Sequence, residues 1–204
     1  MATIDLNCDM GEGCDNDAEL MNYISSANIA CGFHAGDRQT MRTTVELARD
    51  YGVTVGAHPG YRDRENFGRQ PMNLTAKEVF DIVAEQITMM ADVCKESAVD
   101  LHHVKVHGAL YNQASRNSEL AAAIAEAVVS LDPNLVLYGL SGSFLISEAE
   151  RAGLQTASEV FADRTYQPDG SLTPRSDSNA LITDDQKAVG QALQMVLSKT
   201  VHAV

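Results

Sequence analysis

The sequence predicts an α/β protein with a parallel sheet, arranged either as a barrel or as an open doubly wound sheet. Three observations carry that expectation. Short apolar runs alternate with longer amphipathic stretches along the whole chain, the pattern of repeated strand–helix units. Several of the short runs are apolar throughout rather than at every second residue, as parallel strands covered on both faces are. Polar clusters beside glycine follow successive runs on their C-terminal side, where α/β proteins build their sites.

The expected strands are Thr3 to Cys8, Ala27 to Cys31, Val53 to Ala57, Leu101 to Val106, Leu135 to Tyr138 and Gln155 to Val160. Between them, helices are expected over Arg38 to Tyr51, from Thr75 onward, over Ser118 to Leu131 and over Gly142 to Ala152. Thr75-Ala-Lys-Glu78 reads as a capping box, whose hydroxyl and carboxylate satisfy orphan amides at a helix start. Behind it Val79, Val83, Ile87, Met90 and Cys94 recur at helical spacing and predict one buried stripe. Thr183-Asp-Asp-Gln186 repeats the box, with Val189, Leu193, Val196 and Leu197 as the expected stripe of a last helix. No linker-like tract or internal repeat interrupts the pattern, so a single domain over residues 1–204 is expected.

Composition narrows the class. Apolar residues make up 45% and charged residues 21%, ordinary for a soluble globular chain. The net charge is −13, from 28 acidic against 15 basic side chains, with no basic run. Phosphate backbones and anionic membrane surfaces need clustered Lys and Arg, so neither nucleic acid nor membrane is an expected partner. Cys8, Cys14, Cys31 and Cys94 lack metal-ligand spacing and are expected to be reduced packing residues. The N-terminus turns acidic before any signal-like apolar run forms, and a cytoplasmic protein is expected.

The chemistry lies in the polar strand ends. Asn7, Asp9 and Glu12 follow the first run, and Gly32-Phe-His34-Ala-Gly-Asp37 the second. Gly56-Ala-His58-Pro-Gly-Tyr61 follows the third, Lys105-Val-His107-Gly-Ala-Leu-Tyr111 the fourth, and Glu159-Val-Phe-Ala-Asp-Arg164 the sixth. One buried His is ordinary, whereas several such clusters on one sheet edge point to a site. Asp37, directly before a helical pattern, reads equally well as a helix cap. Carboxylates with imidazoles supply general acid–base groups or metal ligands, and a desolvated Lys105 suits an oxyanion or a substrate carboxylate. Asp9, Glu12, Lys105 and His107 are the candidate catalytic residues. The chain has no GxSxG, no catalytic Cys signature and no GxxxxGK[ST] phosphate loop.

The segments DLNCDMGEG at 5–13, SANIACGFHAGD at 26–37, GAHPGY at 56–61, FGR at 67–69, HGALYN at 107–112 and EVFADR at 159–164 resemble the LamB/YcsF family, in colinear order over essentially the whole chain. The resemblance implies the irregular (β/α) barrel of the glycoside hydrolase/deacetylase type. It implies ATP-driven ring opening of 5-oxoproline to glutamate, carried out with two partner subunits, B and C. ATP is then a cofactor held through those partners, and self-association into a homo-oligomer stays open. Asn7, Asn28, Arg69, Glu159 and Arg164 within these segments are the candidate substrate-binding residues. By analogy with the deacetylases, Asp9, His34 and His58 are candidate ligands of a divalent metal. The alternatives are a metal-dependent deacetylase-like hydrolase and a non-catalytic substrate-binding subunit. Val106 stands where the family usually has Pro. The family also usually continues for several dozen residues beyond the point matching Val204, so a C-terminally short chain without the last strand is expected.

Overall fold

A computed structural model describes residues 4–204, and two compact units are present. The first runs to Gly139 and resumes over Ser143–Ala157, and the second comprises Leu140–Gly142 and Ser158–Val204. Among the described residues the strands are β1 (Asn7–Met10), β2 (Ser26–Ala30), β3 (Thr54–His58), β4 (Leu101–Lys105), β5 (Val136–Leu140) and β6 (Gln155–Glu159). The helices are α1 (Asp17–Leu20), α2 (Arg38–Tyr51), α3 (Ala76–Glu96), α4 (Gly108–Arg116), α5 (Ser118–Leu131), α6 (Phe144–Arg151) and α7 (Asp185–Ser198). Thr3, the expected start of the first strand, lies outside the described residues.

The strands follow one another in the sheet in the order β1-β2-β3-β4-β5-β6, and the pairs from β1 to β5 are parallel. A doubly wound sheet reverses its order at a switch point. Unbroken sequential order instead belongs to the (β/α) barrel class, which settles the alternative left open by the residues alone.

In the first unit, helix packing follows from sequence. Thr75 and Glu78 form the expected capping box at the start of α3, and Val79, Val83, Ile87, Met90 and Cys94 are buried along it. Helix α5 buries Ala121, Ala123, Ala125 and Ala127, small side chains that let it lie close against its neighbours α3 and α6. Asp37 caps α2, its carboxylate accepting from the Thr40 amide at 2.8 Å. Cys31 and Cys94 are buried as packing residues, whereas Cys8 is half-buried and Cys14 exposed.

In the second unit, Arg164 is a tie. Its guanidinium donates to the carbonyls of Ala180 at 3.2 Å and Thr173 at 2.6 Å. Helix α7 departs from expectation twice. Its cap is Asp184, which accepts from the Lys187 amide, and not Thr183. Its expected stripe is largely uncovered: Val189, Leu193 and Leu197 are exposed, while Met195 is the buried residue. Helical spacing identifies an apolar face, but burial depends on what the rest of the fold lays against it.

Candidate active site

Partnered residues of a parallel ladder share a face, and side chains alternate along each strand. The register pairs Asp9 with Asn28, Asn28 with Gly56, and Gly56 with His103. One face of the sheet therefore carries Asn7, Asp9, Asn28, His58, His103 and Lys105. The other carries Met10, Ile29, Val55, Ala57 and Val104, all buried. The strands that read as continuously apolar are thus two-faced where the site lies.

The polar face is cross-linked. The Asn28 amide donates to Asn7 Oδ1 at 2.7 Å and to Asp9 Oδ1 at 2.9 Å, and its oxygen lies 2.9 Å from His103 Nε2. Lys105 Nζ donates to Asn7 Oδ1 at 3.0 Å and Asp9 Oδ1 at 3.1 Å. Lys105 is 5% exposed, so it is no surface lysine, while the Asp9 side chain remains 35% exposed. The carboxylate is accessible and its cation is held beneath it. Asn28, expected at a substrate, is fully buried. Its amide is engaged in this network, which positions Asp9.

Beyond the strand ends, three imidazoles converge. The rings of His34 and His107 stack with centroids 3.9 Å apart, and His58 meets them edge-on at 5.5 and 4.8 Å. Glu12 Oε1 reaches all of them, 3.1 Å from His34 Nε2, 3.4 Å from His107 Nδ1 and 3.8 Å from His58 Nε2. Glycine makes the space. A Cβ on Gly60 would fall 2.7 Å from His34 Nδ1, and one on Gly68 would fall 2.8 Å from His34 Cβ. His107 sits at the N-cap of α4 but its side chain makes no capping bond; the ring is turned into the cluster instead.

Two ring orientations are set by backbone carbonyls. His58 Nδ1 lies 2.6 Å from Lys105 O and His107 Nε2 lies 2.9 Å from Phe67 O. A carbonyl only accepts, so both of these nitrogens carry the proton. In neutral rings the lone pairs of His58 Nε2 and His107 Nδ1 then face each other across 2.9 Å. Without a cation or an added proton that arrangement is repulsive. His34 Nδ1 is buried without a partner, so this ring's polar engagement runs through Nε2, into the cluster.

The donors within 4.8 Å of one another are Glu12, His34, His58 and His107, imidazole and carboxylate being zinc-type ligands. The set differs from the expected Asp9, His34 and His58. Asp9 turns one oxygen to Lys105 and Asn28, and only its Oδ2 approaches the cluster, 3.3 Å from His58 Nε2. Glu12, three residues farther along the chain, reaches the centre in its place.

Charge is distributed unevenly. Burial alone would raise the Asp9 pKa, but the charges of His58 and Lys105 and hydrogen bonds from His58 and Asn28 overcome it and hold the carboxyl well below its usual range. Burial, then the neighbouring His102, pushes His103 down to about 3 from 6.5. His103 is therefore neutral when folded and protonatable when unfolded. Between those two values the unfolded chain binds the extra proton, so stability is full above about 6.5 and falls as pH drops toward 3, by up to about 1.4 kcal/mol per pH unit. His103→Gln retains a donor for Asn28 and should flatten the acid slope of thermal stability by about one proton. An unchanged slope would show that His103 titrates alike in both states.

The remaining expected residues fall at other places. Arg69 is exposed at the rim, its guanidinium 4.8 Å above the Phe67 ring, and Phe67 stands edge-on to His34 and His107 at 5.7 and 5.4 Å. Glu159 closes β6 in the second unit, where its carbonyl accepts from the Ser141 amide at 2.9 Å. Arg164 donates to the Ala180 and Thr173 carbonyls within the second unit. His103 was not among the expected residues. Its signal is the two-residue spacing of His103, Lys105 and His107, which puts the first two on one face of β4.

Comparison with known proteins places the chain. The sequence profile of the LamB/YcsF family matches residues 4–204. A Tolumonas auensis protein named as the A subunit of 5-oxoprolinase is 55% identical, with 100% of this chain and 83% of that protein covered. A Geobacillus kaustophilus protein of the same name is 53% identical, covering 100% and 81%. The crystal structure of a lactam utilization protein from Thermus thermophilus superimposes with a TM-score of 0.94 at 44% identity, covering 100% of this chain and 84% of that one.

Proposed function

Because this chain belongs to the LamB/YcsF family, we propose that it is the lactam-opening subunit of an ATP-dependent 5-oxoprolinase, converting 5-oxoproline to glutamate. One observation carries the reading: an accessible carboxylate, Asp9, is kept ionised by His58 and buried Lys105 at the edge of a glycine-framed imidazole cluster. The names borne by the relatives support the same substrate.

An ionised Asp9 is free to accept a proton. Being strongly acidic, it gives the proton up readily, so its strength as a general base comes from its position beside the substrate rather than from its pKa. It takes a proton from the attacking water as the oxygen adds to the lactam carbonyl. It then returns the proton to the ring nitrogen as the C–N bond breaks, so the group ends as it began. Lys105 offers its ammonium to the charge that develops on the carbonyl oxygen. Arg69, exposed and stacked on Phe67, suits the substrate's own carboxylate, because a guanidinium matches that group's two oxygens.

ATP is assigned to partner subunits B and C, which use it to activate the lactam before water adds, since this chain carries no GxxxxGK[ST] loop. The test is reconstitution. The three subunits together should release glutamate from 5-oxoproline only with ATP, and this chain alone should release none with or without it. Turnover by the isolated chain would overturn the division of labour, and a silent complete complex would overturn the substrate.

A further inference from the structure

We infer that Glu12, His34, His58 and His107 form a binding centre for one divalent first-row metal ion of the zinc type, with Asp9 outside its coordination shell. Four independent features point there. The donor atoms are three imidazole nitrogens and one carboxylate oxygen, all within 4.8 Å of one another. A tetrahedral ion with ligand bonds of about 2.0–2.1 Å needs neighbouring donors about 3.3 Å apart. Four of the six donor separations, 2.9, 3.1, 3.4 and 3.8 Å, bracket that value, and the others stay within 4.8 Å.

Ring orientation is the second feature. The carbonyls of Lys105 and Phe67 each take the outward proton of one imidazole, leaving the inward nitrogen bare, the arrangement that outer hydrogen-bond partners impose on metal-bound histidines. With both rings neutral, the Nε2 proton that otherwise lets His58 face Asp9 being displaced, two bare nitrogens 2.9 Å apart and a carboxylate oxygen 3.4 and 3.8 Å away concentrate negative potential on one point. A cation placed there relieves it.

Rigidity is the third. His34, His58 and His107 are all buried, and glycines 60 and 68 pack against the stacked pair closely enough to exclude a methyl group. The rings are thus held without a ligand, and because His34 and His107 lie in parallel planes 4° apart, one of the two turns to bring its lone pair onto a shared ion. The fourth is access: Glu12 keeps 12% of its side-chain surface, and Asp9, beside the cluster, keeps 35%. Bound there, a divalent ion would polarise a carbonyl oxygen delivered beside Asp9. The centre shares its location with the proposed ring opening, yet it rests on donor geometry, and its test reads metal rather than glutamate.

The full chain, stripped of metal by a chelator and still native by circular dichroism, is titrated with Co²⁺ and then with Zn²⁺. One equivalent of Co²⁺ should bind and give the intense visible absorption of a four-coordinate ion, and Zn²⁺ should abolish it. Glu12→Gln and, separately, His107→Gln should weaken Co²⁺ binding by about 100-fold or more, whereas Asp9→Asn should retain one equivalent and the same spectrum. One variant spares the histidines and the other removes one, so misfolding of either leaves the other readable. No stoichiometric uptake by the native chain would overturn the centre. Loss of the ion in Asp9→Asn with retention in Glu12→Gln would overturn this ligand assignment.

Discussion

Lys105→Met is expected to lower glutamate release by the reconstituted complex by about 100- to 1,000-fold, the loss typical when one preorganised electrostatic donor is removed from a developing oxyanion. The ammonium is buried and bonded to Asn7 and Asp9, so the substitution removes more than a distant charge. It also takes away a cation that, with His58, holds the Asp9 carboxyl ionised. The acid limb of the pH–rate profile should therefore move to higher pH, because a less acidic Asp9 stays protonated to higher pH. A rate profile that keeps both its height and its position would remove Lys105 from the chemistry.

Gly68→Ala is expected to damage both stability and activity although the residue contributes no functional group. Its φ is +63°, a left-handed conformation that costs an L-residue about 1–2 kcal/mol. For a chain of this size that alone lowers the melting temperature by about 2–8 °C. The new methyl carbon would also lie 2.8 Å from His34 Cβ and 3.1 Å from His107 Cδ2, forcing the stacked pair to move. A displacement near 1 Å in an active site can cost about 100-fold in rate. A variant with unchanged melting and turnover would mean that the loop carrying Gly68 yields freely, and that the imidazoles are not held by it.

Much of this is legible in the chain itself. The expected strands Leu101 to Val106 and Gln155 to Val160 differ from β4 and β6 by one residue at one end. Helices α2 and α5 start and stop at Arg38, Tyr51, Ser118 and Leu131, as their patterns predict. The gathering of His34, His58 and His107 follows from their shared position after strands. What sequence does not reveal is direction within that group. Asp9 and Glu12 are three residues apart on one segment, and only the pairing of Asp9 with Lys105 on β4 decides which carboxylate turns to the imidazoles. Asn28 resembles a ligand contact because it sits in a polar motif, yet the parallel register buries it beneath Asp9. Helix α4, directly after His107, is hidden because Gly108, with φ +55°, reads as a turn rather than a first helical residue. Helix α7 shows the converse: Val189, Leu193 and Leu197 have the right spacing for burial, and spacing alone does not supply a covering surface.

The central claim is that the accessible carboxylate of Asp9 performs the ring opening, and one measurement addresses it most directly: ATP-dependent glutamate release from 5-oxoproline by the complex reconstituted with Asp9→Asn, with the melting temperature recorded on the same preparation. Asparagine keeps the size of the side chain and an oxygen for Lys105 and Asn28 to approach, but it cannot take a proton. The account predicts that release falls by about 100- to 10,000-fold while the chain stays folded and still joins its partners. Release at the wild-type rate by the folded, assembled variant would contradict it.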